Sequence, residues 1–65
     1  MGTRIPGLPF TRTQLATHAY REARRAGLDT DTADAVKHKV LERVLLGGET
    51  PDRVIRDEIA KHAAP

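Results

Sequence analysis

The groups able to do chemistry in this chain are three histidines, nine carboxylates and eleven lysines and arginines, in a sequence without cysteine. His18, His38 and His62 fall one to each predicted helix. They lack the four-apart spacing that puts two ligands on one face, and no thiolate completes a tetrahedral set. Asp57 and Glu58 are neighbours on a helix, so their side chains are expected to point apart rather than share a substrate proton. Gly47-Gly48 precedes a helix but lacks the strand and the lysine-serine ending of a phosphate loop. Asp29, Thr30, Asp31 and Asp34 crowd a helix start, where capping accounts for them; a calcium loop needs more oxygen ligands and a glutamate at its twelfth position. The reading is therefore no catalytic residue, no metal site and no cofactor.

What remains is recognition chemistry. Arg21, Arg24 and Arg25, with Glu22 among them, gather on the outward side of the first predicted helix. Guanidinium groups fork carboxylates and phosphates alike, so the cluster suits an acidic protein surface or a nucleic-acid backbone. The first 28 residues carry five arginines against one glutamate, whereas the rest carries six basic and eight acidic side chains. The basic character thus belongs to the first half.

The elements that must position these groups are three helices, giving an all-α, small three-helix bundle with an extended N-terminal arm. Residues 1–10 hold Gly2, Pro6, Gly7 and Pro9 and are predicted to form the arm, with Phe10 packing as a staple beside the first helix. A single domain spans 11–64. Thr11 or Thr13 caps a helix that runs to about Ala26, where Gly27 supplies a left-handed stop. Leu15, Ala19, Ala23 and Ala26 form its shallow apolar stripe. The second helix runs from about Thr30 to Leu46. Its Ala33, Val36, Val40 and Val44 form one stripe that Leu41 and Leu45 extend sideways, too wide an arc for one neighbour. After Gly47-Gly48, Thr50 and Pro51 open a third helix reaching about His62, with Val54, Ile55, Ile59 and Ala63 inward. Asp52 with Arg56 and Asp57 with Lys61 are its four-apart pairs.

Composition bounds the class. Sixty-five residues with one Phe, one Tyr and no Trp allow only a small aliphatic core, which partner binding would reinforce. No apolar run suggests a signal peptide or membrane helix, and Pro6 stands where a myristoylation signal wants Ser or Thr, so a cytoplasmic chain without a membrane partner is expected.

The order Gly27-Leu28, Asp31, Gly48-Glu49-Thr50, Asp52, Val54, Ile55 and Asp57 resembles the VbhA-type antitoxins, three-helix inhibitors of Fic-domain AMP-transferases. The resemblance covers about half the chain. It implies a three-helix fold and a larger protein partner. In that family the first helix carries Ser or Thr, three residues, then Glu and Gly, and the glutamate pairs with an arginine of the Fic active site, obstructing the ATP γ-phosphate. Aligned on Gly27, Glu22 stands at the Ser/Thr position and Ala26 at the glutamate position. One turn earlier, Glu22 follows His18 at the motif spacing, with Ala23 in place of the glycine.

The preferred reading is a non-enzymatic, antitoxin-like module that binds and neutralises a larger protein such as a Fic-domain toxin. Arg21, Glu22, Arg24, Arg25, Leu41 and Leu45 are its expected contacts. Two alternatives stand beside it: a small nucleic-acid-binding regulator using the basic first half, and a self-associating module in which two copies bury Leu41, Leu45 and Leu46.

Overall fold

The computed structural model describes residues 11–63, which form three helices: α1 (Arg12–Arg25), α2 (Thr30–Leu41, continued by a π-helical turn over Glu42–Leu46) and α3 (Pro51–Ala63). The expected arm and its Phe10 staple lie outside the described residues. Among the described residues no helix is long and apolar enough to cross a membrane.

Local chemistry sets the ends of α1. Thr11 Oγ1 accepts from the Gln14 amide at 3.1 Å while Gln14 Oε1 accepts from the Thr11 amide at 3.0 Å, a reciprocal box that satisfies two otherwise orphaned donors. At the other end Gly27 adopts φ 95°, a conformation that disfavours side chains. It lets the Leu28 amide bond the Ala23 carbonyl at 3.2 Å and the Gly27 amide bond the Arg24 carbonyl at 3.0 Å. Leu28 then turns inward against the core. Asp29 caps α2 by accepting from the Thr32 amide at 2.8 Å, and bonding to the Thr32 side chain and then to its amide holds the carboxyl below the ordinary range.

The second helix follows its expected span but not its expected register. Over Glu42–Leu46 the turn widens to the π form. Beyond it, the Gly48 amide reaches the Val44 carbonyl at 3.1 Å and the Glu49 amide reaches Arg43 O at 3.2 Å. The widened turn coincides with two tethers: Val44 stays in the core, only 4% exposed, and the Arg43 side chain is held by the segment that follows.

Packed between α1 and α3, α2 is the common wall of the bundle. Arg12, at the start of α1, shares a cleft with Leu41 and Leu45, so α1 and α2 run antiparallel. His18 lies beside Asp52, and Ala26 shares a cleft with Ile59, so α3 returns parallel to α1. The core is Leu15, Ala19 and Ala23 from α1, Ala33, Val36, Val40 and Val44 from α2, and Val54 and Ile55 from α3. Alanines let the axes come close while burying little area, so each larger aliphatic residue matters at about 1.5–3 kcal/mol. Ile59 is only half-buried and Ala63 is exposed, so the inward side of α3 ends a turn earlier than expected. Glu58 takes an inward place instead, at 3% exposure.

Gly47 and Gly48 separate two physical demands. A Cβ on Gly47 would lie 2.6 Å from the Arg43 carbonyl oxygen, a backbone atom that cannot swing away, whereas Gly48 has open space but φ 68°. Gly47→Ala is expected to lower unfolding free energy by about 1–3 kcal/mol through overpacking. Gly48→Ala should cost about 1–2 kcal/mol through left-handed strain. Denaturant titration of the two variants checks both, and an unchanged Gly47→Ala midpoint would show that the turn relaxes freely.

Candidate functional site

The polar feature that orients α3 is a clamp on Arg43. Its Nε and Nη2 donate to the two Glu49 oxygens at 2.9 and 2.6 Å, and its Nη1 donates to Asp57 Oδ2 at 2.8 Å and Glu58 Oε2 at 2.7 Å. Lys61 Nζ donates to the same Glu58 oxygen at 2.9 Å. Asp57 and Glu58, expected to point apart, therefore converge on one guanidinium. The four-apart pairs are rerouted as well: Asp57 bonds Arg43 rather than Lys61, and Asp52 faces His18 at 3.8 Å. Short, charge-assisted bonds are the strong class, and the Oε2 of the buried Glu58 accepts two of them.

The clamp moves proton affinities. Arg43 bonding holds Glu49 and Asp57 below the ordinary carboxylate range. At Glu58, burial pushes the carboxyl upward, but the bonds from Lys61 and Arg43 outweigh it and the net direction is down. The guanidinium is in turn pushed up by its three carboxylates.

By seating Glu58 inward, the clamp sets which side of α3 faces α1. At 100° per residue, Ile55, Ile59, Asp52 and Arg56 then follow on the adjoining arc. Between that arc and α1 lies an open cleft of about 530 Å³. Its charged rim is His18, Glu22 and Arg25 from α1 with Asp52 and Arg56 from α3. Its floor is Ala26, Ile55 and Ile59. Arg25 Nη1 donates to Glu22 Oε2 at 3.2 Å. The 3.8 Å from His18 Nε2 to Asp52 Oδ1 exceeds hydrogen-bond reach. The cleft thus sets charges of both signs, some exposed and some half-buried, around an aliphatic centre.

The six expected contact residues fall into separate places. Glu22 and Arg25 belong to the cleft. Arg24 Nη1 donates to the Leu28 carbonyl at 3.2 Å, closing the α1–α2 turn, and Arg21 is exposed outside the cleft. Leu41 and Leu45 are half-buried on α2, where both line a cleft of about 340 Å³ that shares no residue with the first. Sequence reasoning missed His18, Asp52 and Arg56 as companions of Glu22. Their four-apart spacing, His18 to Glu22 and Asp52 to Arg56, is the signal that marks two facing edges. Among the described residues, no three His, Asp or Glu side chains gather as metal ligands. In comparisons with known proteins, no family model, no curated protein and no solved structure matches this chain.

Because the carboxylates of the clamp bind protons less readily folded than unfolded, their contribution is fully present above the ordinary carboxylate range and disappears as pH falls through the lowered values. The unfolding midpoint should hold from neutrality to about pH 5 and drop below about pH 4. Arg43→Met should lower the midpoint at neutral pH and flatten that acid limb. Equal acid sensitivity in wild type and variant would place the titrating groups elsewhere.

Proposed function

We propose that this chain is a non-enzymatic binding module of antitoxin type, which docks the α1–α3 cleft onto a larger protein. The observation that carries the reading is that cleft: an aliphatic floor of Ile55 and Ile59 ringed by Glu22, Arg25, Asp52 and Arg56. An apolar centre with a charged rim is the anatomy of a protein interface, where burial supplies affinity and the rim supplies selectivity. A fold whose core holds so few large side chains also gains from a partner, since binding to the folded state stabilises it by mass action.

The partner class is the one the family resemblance implies, a Fic-domain AMP-transferase. Glu22 is the carboxylate offered to it. It stands four residues after His18, the motif spacing, and its salt bridge is to Arg25, an exposed residue three positions on. An exposed pair of this kind is worth at most about 1 kcal/mol, so an arginine of the partner can take over the Glu22 oxygen cheaply. The nucleic-acid alternative draws less support, because the carboxylates of Glu22 and Asp52 share the cleft with Arg25 and Arg56 and would face phosphates.

With the tagged chain as bait at low and then physiological salt, one stoichiometric protein should remain bound. Glu22→Lys and Arg56→Glu, both at accessible positions, should each weaken that retention at least about tenfold. Recovery of nucleic acid alone, lost as salt rises, would replace this reading with the regulator. Full retention by both variants would move the contact off the cleft.

A further inference from the structure

A second surface lies on α2, away from the cleft assigned to the partner. Leu46 is 85% exposed, the one large apolar side chain so exposed among the described residues. It borders the 340 Å³ cleft together with Leu41, Leu45, His38 and Glu42. His38 and Leu41 are three apart on one side of α2, and the π turn, which holds more residues than an α turn, carries Leu46 round towards that side with Leu45 beside it to form a seam. This seam lies roughly a third of a turn round α2 from the Val36, Val40 and Val44 stripe that fills the core. The stripe has its cover within the bundle; the seam is only half covered.

The charges beside the seam decide what fits it. Lys37 and, from α1, Arg12 flank one edge and Glu42 the other. Two copies of α2 aligned in parallel about a two-fold axis place Lys37 of each against Glu42 of the other, twice over, with the leucines meeting between. A surface that carries its own complement suits a copy of itself, because a two-fold contact uses one patch on both sides. Each charge is held only by a surface pair inside its own helix, Lys37 to Asp34 at 2.7 Å and Glu42 to Lys39 at 3.6 Å. Such pairs exchange at little cost. The geometry points to a second copy of this chain as the occupant of the seam, making a parallel, weak and reversible dimer through His38, Leu41, Leu45 and Leu46. The α1–α3 cleft stays open in that dimer, so the inference stands independently of the partner reading.

Sedimentation equilibrium of the full chain tests it over roughly 10–1,000 µM, the range expected of a small interface. The expected result is a monomer–dimer equilibrium whose dissociation constant rises at least about tenfold in Leu46→Glu. Lys37→Glu and Glu42→Lys should each weaken dimerisation at low salt, and the double variant carrying both should restore it. Circular dichroism of each variant confirms that the helices persist. Since the chain has no cysteine, His38→Cys adds a direct reading: position 38 meets itself across a parallel two-fold and should cross-link on mild oxidation. A monomer throughout the range overturns the inference, as does a dimer indifferent to Leu46→Glu. Failure of the double charge variant to recover, or of the introduced thiol to cross-link, excludes the parallel seam.

Discussion

The structure depends on one guanidinium. Arg43 leaves the widened turn at the end of α2 and binds carboxylates from the following loop and from α3, among them a glutamate that is 3% exposed. A buried charge is costly without partners, and Glu58 has two cations on one oxygen. The aliphatic contacts could be satisfied by several rotations of α3, since Val, Ile and Ala surfaces discriminate weakly. The clamp favours one rotation, because others draw Asp57 and Glu58 away from the Arg43 guanidinium. That rotation faces Ile55, Ile59, Asp52 and Arg56 towards α1 and so creates the cleft. The polar network thus supplies orientation, and the small core supplies cohesion.

Helix limits were legible wherever they depend on local chemistry. Thr11, Gly27, the Gly47-Gly48 pair and Pro51 act within a few residues of themselves, and each appears at its expected boundary. The all-α class followed from the same signals and from apolar periodicity. The π turn was not legible: it coincides with long-range contacts, in which Arg43 reaches partners 14 and 15 positions on, and helical periodicity treats a charged residue as solvent-facing. Glu58 was invisible for the same reason. Its inward position between Ile55 and Ile59 fits the spacing of a core residue, but its side chain type argues for the surface until Arg43 and Lys61 are brought to it.

The candidate site was half legible. Glu22 and Arg25 could be chosen from charge and outward position on α1, and they do face one cleft; Arg21 and Arg24 share that charge but not that direction. Which outward residues matter is settled by where α3 passes, a tertiary fact with no local signature. Leu41 and Leu45 were marked by the excess width of the apolar arc on α2, and that excess lies on another face. The chain thus presents two surfaces of different character. One is charged around an aliphatic centre, and the other is a leucine seam bordered by opposite charges.

The cleft between α1 and α3 is the contact proposed for a larger protein. Amide chemical-shift mapping of the labelled chain, titrated with the protein it retains at physiological salt, tests this most directly. Perturbations are expected at His18, Glu22, Arg25, Asp52, Arg56 and Ile59 when each addition is compared at constant chain concentration. Shifts confined to Arg21, Arg24 and the leucines of α2, with the cleft unmoved, would contradict it.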